Sequence, residues 1–325
     1  MRGEGLHRQR RALLLSLLGG SVARAGAQAT AAEDFSWIDS QRRRELPLRV
    51  RWPAGDGPCP LVLYSHGLGG SREGGEAWAD VWNQAGLAVL QLQHPGSDRA
   101  VWREGISGLR AAASAQQLLA RVADVRFVLD ELSRRASQPT WSRVRHDAIG
   151  FAGHSFGAVT AQALAGQRFA LAGSLADARI KAFVALSPSP GRDALPIEQQ
   201  FAGITRPFLV VTGSLDGDPL GQGRGADGEW RARVYDGLPP GKRGLLWLDG
   251  ADHMSFAGNA GLPLRWAGVG LERDAGALQR EAAQHSIVAR VTAIWWLRWL
   301  ADDAYAQMAM HGRMGLGPGE RWRFD

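Results

Sequence analysis

The chain has 325 residues, 45% of them apolar, enough to bury a core as one large domain or two small ones. Its formal charge of +6 is concentrated at the start: residues 1–27 hold five arginines and one glutamate, and +2 remains without them, which excludes a nucleic-acid partner. The single cysteine, Cys59, excludes an intramolecular disulfide and reads as a small apolar filler between Pro58 and Pro60.

Residues 1–27 have the form of an export signal. Arg8, Arg10 and Arg11 precede the apolar run Ala12 to Leu18, and Ala25-Gly26-Ala27 matches a small-x-small cleavage site. The run is too short to span a bilayer, and Arg10-Arg11 allows twin-arginine as well as general secretory export. A periplasmic or secreted protein is the expectation. Residues 28–41, Ala-rich and polar, read as a flexible lead, and Arg42-Arg43-Arg44 as a solvated charge run. The folded domain is expected over 42–311. The tail, 312–325, is polar and Gly-rich, with Trp322 and Phe324 able to pin it down.

Within the domain, Glu45 to Trp52 alternates as an early antiparallel strand. Apolar runs suited to buried parallel strands follow at Leu61–Tyr64, Leu87–Leu92, Ala148–Ala152, Ile180–Leu186, Phe208–Val211 and Leu245–Leu248. Helical patterns lie between or after them at Gly75–Ala85, Gln117–Ser133, Phe156–Ala165 and Ala277–Gln307. This alternation predicts an α/β fold, a mostly parallel sheet with helices on both faces. Three irregular stretches, 94–116, 213–233 and 256–276, follow strand C-termini, the edge where open α/β sheets bind ligands.

The chemistry centres on Gly153-His154-Ser155-Phe156-Gly157, wedged between an apolar strand and a helix. A serine in such a sharp turn has a strained backbone, and glycines two before and two after it let strand and helix approach. The turn pushes the hydroxyl out of the sheet's end while the helix N-terminus favours negative charge there. This is the form of a nucleophile elbow.

An activated serine needs a base, an acid to orient it and donors for an oxyanion. Of the histidines, His253 sits immediately after the last predicted strand, in Asp249-Gly250-Ala251-Asp252-His253-Met254, where a loop can bring an imidazole over Ser155. Asp216 follows the fifth parallel strand most closely and is the expected acid, with Asp218 the alternative. The order Ser155, Asp216, His253 is that of α/β-hydrolase triads. The expected oxyanion donors are the backbone N–H of Phe156, at the helix start, and that of Leu68, in the loop Ser65-His66-Gly67-Leu68-Gly69-Gly70 after the first parallel strand. His66 and His154 are expected to brace these loops.

Ser-His-Gly-Leu-Gly at 65–69 together with Gly-His-Ser-Phe-Gly at 153–157 resembles the platelet-activating-factor acetylhydrolase and predicted dienelactone-hydrolase-like branch of the α/β-hydrolases. The resemblance covers about residues 42–305, with only the three motif stretches specific. It implies ester hydrolysis and gives the counterparts of Leu68 and Phe156 as oxyanion donors. Dienelactone hydrolases proper carry a cysteine where this chain has Ser155.

The expectation is therefore an exported serine ester hydrolase acting on a small or lipid-derived ester. An acyl transferase or thioesterase, or a catalytically silent ligand-binding relative, would carry the same motifs. Trp102, Phe256 and Trp266 are expected to line the pocket. Trp78, Trp82, Trp295, Trp296 and Trp299 invite contact with a lipid surface, although core packing is the better reading for helices that flank a sheet. No zinc spacing and no dinucleotide fingerprint occurs, so neither metal nor cofactor is expected. Arg121 and Asp124 read as a surface or interhelical pair.

Overall fold

Backbone pairing turns the apolar runs into one sheet. The computed structural model describes residues 30–169, 173–191, 195–218, 228–259, 273 and 275–325, so the expected export signal and Trp266 lie outside the described residues. The strands are β1 (Glu33–Asp39), β2 (Arg44–Arg51), β3 (Cys59–Ser65), β4 (Ala88–Leu92), β5 (Val144–His154), β6 (Ile180–Leu186), β7 (Phe208–Leu215), β8 (Arg243–Asp252) and β9 (Glu320–Phe324). They form a nine-stranded sheet in the order β1-β2-β4-β3-β5-β6-β7-β8-β9. The six inner strands from β4 to β8 run parallel, and β1, β2 and β9 add antiparallel pairs at the two edges. The α/β class and the mostly parallel sheet thus match the expectation.

Two layers of helices cover the sheet because side chains alternate along each strand. The main helices are α1 (Glu76–Gln84), α2 (Gly105–Ala112), α3 (Ala115–Arg134), α4 (Phe156–Ala165), α5 (Ile197–Phe201), α6 (Gly228–Gly237), α7 (Ala275–Ala301) and α8 (Ala304–Met310). Leu61 and Leu63 of β3 face a core closed by α3, α4, α5 and α6. Val62 and Tyr64, one residue out of step, face the opposite core under α1, α7 and α8. Trp78, Trp82, Trp295 and Trp296 are fully buried in that second core, and Trp82 Nε1–H donates to Thr292 Oγ1 at 2.8 Å. Among the described residues no helix is long and apolar enough to cross a membrane.

Three expectations need correction. The segment read as a flexible lead contains β1, whose Trp37 packs on Trp141 at 5.0 Å between ring centroids. The tail, by contrast, is pinned by Trp322 and Phe324 as expected: it forms β9 along β8, with Trp322 stacked on Phe324 and its Nε1–H donated to Met310 O at 2.8 Å. The long terminal helix is broken at Asp302 (φ 51°), and Asp303 restarts it by capping the Ala306 N–H at 2.9 Å. Finally, Arg42 and Arg44 are not a solvated run: both reach 2.7 Å from Asp124 Oδ1.

From β3 the chain steps to β4 on one side and later to β5 on the other, so the order reverses around β3. The loops after β3 and β5 therefore leave the same edge side by side, the place where such sheets open a crevice.

Candidate active site

Ser155 sits between the last residue of β5 and the first of α4, with φ 53° and ψ −114°. A side chain in that region costs on the order of 1–3 kcal/mol and survives only where its surroundings fix it. Here they do. The Ser155 N–H donates to Leu186 O at 2.9 Å, and its carbonyl accepts from Ala158 N at 2.9 Å and Val159 N at 3.1 Å. The flanking glycines are sterically required: a Cβ on Gly153 would lie 2.3 Å from the Gly157 backbone, and one on Gly157 would lie 2.0 Å from Ser65 O.

His253 opens a 3₁₀ turn, His253–Phe256, directly after β8. Asp252 caps this turn, accepting from Ser255 N at 2.8 Å and Ser255 Oγ at 2.9 Å, while Arg273 Nε binds its other oxygen at 2.9 Å. The cap fixes the imidazole's direction. His253 Nε2 stands 3.0 Å from Ser155 Oγ, and Nδ1 stands 2.9 Å from Asp216 Oδ1. The carboxylate makes Nδ1 the protonated nitrogen and leaves Nε2 as an acceptor for the serine hydroxyl. Among the described residues Asp216, not Asp218, carries the carboxylate on the imidazole; Asp218 lines the cavity instead.

Three groups around Asp216 escaped the sequence reading. Ser187 Oγ–H donates to Asp216 Oδ1 at 2.7 Å and lies 2.8 Å from His253 Nδ1. Thr212 Oγ1–H donates to Oδ2 at 2.9 Å, and Arg231 Nε pairs with Oδ1 at 2.8 Å. Burial alone would raise the Asp216 pKa, but Arg231, His253 and Ser187 together outweigh it and hold the carboxyl below its ordinary range. Ser187 has φ 56°, a second non-glycine in the left-handed region at a strand end. Pro188 after it hides that geometry in the sequence. Arg231 projects from α6, inside a stretch read as irregular, and no spacing relates it to Asp216.

The hydroxyl opens into a cavity of about 500 Å³. Leu68, Trp102, Phe156, Phe169 and Met254 line it with Ser155 and His253. Trp102 is thus where the sequence placed it, and its Nε1–H donates to Gly69 O at 2.8 Å. Phe256 is not: it is fully buried in the core beside α1 and α7, and Met254 and Ala257 face the cavity instead. An aromatic ring gains more by entering the core than by lining a wet cavity. Leu68 and Phe156, the residues expected to supply the oxyanion donors, both line the cavity with Ser155, and the Phe156 N–H is one of the helix-start donors that no intrahelical carbonyl can reach.

The bracing histidines are also in place. His154 Nε2–H donates to His253 O at 3.0 Å. His66 Nε2 accepts from the His94 N–H at 3.0 Å, so its Nδ1–H is the donor to Gly67 O at 2.6 Å. Arg121 and Asp124, expected at a surface or between helices, are instead fully buried and turned to different partners. Asp124 accepts from His94 Nδ1 at 2.9 Å and from Arg42 and Arg44, while Arg121 binds Ser65, His66, Gly67 and Ser97. Nothing in the sequence singles out His94, whose role depends on strands β3 and β4 lying side by side. Among the described residues no cluster of His, Cys, Asp and Glu could hold a metal ion.

No protein-family model matches the chain, and a search of the curated proteins finds no match.

Proposed function

We propose that the chain is an exported serine hydrolase of the α/β-hydrolase fold that cleaves carboxylic esters through a covalent acyl-enzyme. The observation that carries this reading is the unbroken chain of contacts from Ser155 Oγ to His253 Nε2 at 3.0 Å and from His253 Nδ1 to Asp216 Oδ1 at 2.9 Å, at the mouth of a cavity. The strained Ser155 backbone, the chain order and the resemblance of the two glycine-rich motifs to α/β-hydrolases support it. Export rests on the arginines and apolar run of residues 1–27.

In this mechanism Ser155 Oγ attacks the ester carbonyl carbon as His253 Nε2 takes the hydroxyl proton. The carbonyl oxygen becomes an oxyanion held by the N–H groups of Leu68 and Phe156, and Asp216 stabilises the imidazolium. Collapse expels the alcohol, which receives the proton from His253. Water then attacks the acyl-enzyme with His253 again as base, and the acid leaves with Ser155 restored. The apolar cavity wall of Trp102, Leu109, Phe156, Val159 and Phe169 suits an acyl or lipid-derived ester better than a peptide.

A panel of p-nitrophenyl esters of increasing acyl length, run beside a phospholipid, tests the reading. Hydrolysis of at least one member with a stoichiometric p-nitrophenol burst supports it. No turnover of any ester above a Ser155→Ala background contradicts it.

The pH dependence follows from His253. Burial, and after it the Arg231 cation, pull its imidazole below the ordinary value of 6.5, against the hydrogen bond and charge of Asp216. Protonation removes the base, so activity belongs to the alkaline side of this pKa. The acid limb of kcat/KM is expected to fall below pH 6.5, leaving a level profile through neutrality. A limb centred above that value would contradict the assignment of His253.

A further inference from the structure

The buried cluster around Arg121 lies beneath the loop Ser65–Gly70, and the ester-hydrolase reading gives it no step. Its contacts converge on one peptide unit. The carbonyl of Gly67 accepts three hydrogen bonds: from His66 Nδ1–H at 2.6 Å, from the Gly70 N–H at 3.2 Å and from Arg121 Nη2 at 3.4 Å. The N–H of Leu68 belongs to the same planar unit and, in a trans peptide, points the opposite way. Donors gripping the carbonyl from the core side therefore aim the amide into the cavity that Ser155, Leu68 and Phe156 share.

The grips are themselves held. His66 has its Nε2 occupied by the His94 N–H at 3.0 Å, which fixes the tautomer that presents Nδ1–H to Gly67. Arg121 donates from Nη1 to His66 O at 2.7 Å and from Nε to Ser97 Oγ at 2.8 Å. Its guanidinium carbon also lies 4.6 Å from the ring centroid of Phe156, the residue that supplies the other donor. One fully buried cation thus touches both halves of the proposed oxyanion site.

We infer that Arg121 and His66 are positioning residues that preset the Leu68 amide for the oxyanion by clamping the carbonyl at the far end of its peptide unit. The inference rests on the serine-hydrolase reading. A preset donor costs no reorganisation when charge develops, and one lost or misaligned oxyanion donor typically costs on the order of 10²–10³ in kcat. The clamp does not touch substrate, so ground-state binding is left as it was.

The test compares the wild type with Arg121→Met, Arg121→Lys, His66→Ala and His66→Asn on one p-nitrophenyl ester. kcat and KM are read separately, along with the affinities of a trifluoromethyl ketone, whose tetrahedral adduct uses the oxyanion site, and of the matching methyl ketone. For Arg121→Met the expected result is a fall in kcat of on the order of 10²-fold with KM held within about twofold. The trifluoromethyl ketone should weaken in parallel and the methyl ketone should not. His66→Asn, which keeps a donor near the Nδ1 position, should recover most of what His66→Ala loses. Should Arg121→Met not fold, the His66 pair carries the same comparison.

Unchanged kcat and trifluoromethyl ketone affinity, or equal weakening of both ketones, would overturn the clamp. If instead the wild type itself neither turns over esters nor reacts with a fluorophosphonate, the hydrolase reading fails, a result distinct from failure of the clamp.

Discussion

Ser155→Ala is expected to abolish covalent labelling by a fluorophosphonate and to lower ester turnover by on the order of 10⁶-fold, with the fold retained. The backbone bonds of residue 155 to Leu186, Ala158 and Val159 hold the strained conformation and involve no side-chain atom. An alanine there keeps the same backbone and loses only the hydroxyl facing His253 Nε2. The thermal midpoint should therefore barely move while the chemistry disappears. Oxyanion donors and binding would leave a residue of rate over water, as they do when any triad member is removed. Intact mass after probe treatment and a steady-state assay on the same preparation check both halves. Full labelling of Ser155→Ala would show that another nucleophile reacts.

Asp216→Asn is expected to cost on the order of 10⁴ in kcat, against no more than a few-fold for Asp218→Asn. An amide at 216 can turn its NH₂ towards His253 Nδ1. The imidazole then carries its proton on Nε2, the nitrogen that has to accept one from Ser155. The substitution also leaves Arg231 buried against a neutral group, which adds a stability cost that thermal melting will read. Asp218 lines the cavity without bonding to His253 among the described residues, so its loss changes the wall and not the base. The reverse ranking in a parallel assay would move the acid to Asp218.

How far the site could be read from sequence depends on the range of the interactions that make it. Ser155, Asp216 and His253 are legible because each follows an apolar run that only a buried strand explains, and strand ends in a parallel sheet share one edge. Gly153 and Gly157 are legible because close approach demands them. Ser187 is not, since its positive φ arises from the turn that carries β6 into Pro188 and no residue type announces it. Arg121, His66 and His94 meet only because β3 and β4 are neighbours and α3 crosses beneath their ends, a consequence of topology and not of spacing.

The sheet edges were the other blind spot. β9 reads Glu-Arg-Trp-Arg-Phe and exposes its two inner arginines, so its periodicity is short and half polar. β1 has the same character, with buried Trp37 set between exposed neighbours. Such strands are fixed by pairing with β8 and β2, and a run of five to seven residues carries too little apolar signal to announce it. Phe256 shows the limit within the site itself. Its place after His253 suggests the pocket, whereas the 3₁₀ turn capped by Asp252 drops it into the core and leaves Met254 at the wall.

The central claim is that one hydroxyl, Ser155 Oγ, is the nucleophile. Peptide mapping by mass spectrometry of the wild-type protein after fluorophosphonate treatment tests it most directly. A single adduct on Ser155, formed at a rate that falls as His253 is protonated, is the predicted result. An adduct on Ser65, Ser187 or Ser189 with Ser155 unmodified, or no adduct at all on a folded protein that hydrolyses esters, would contradict it.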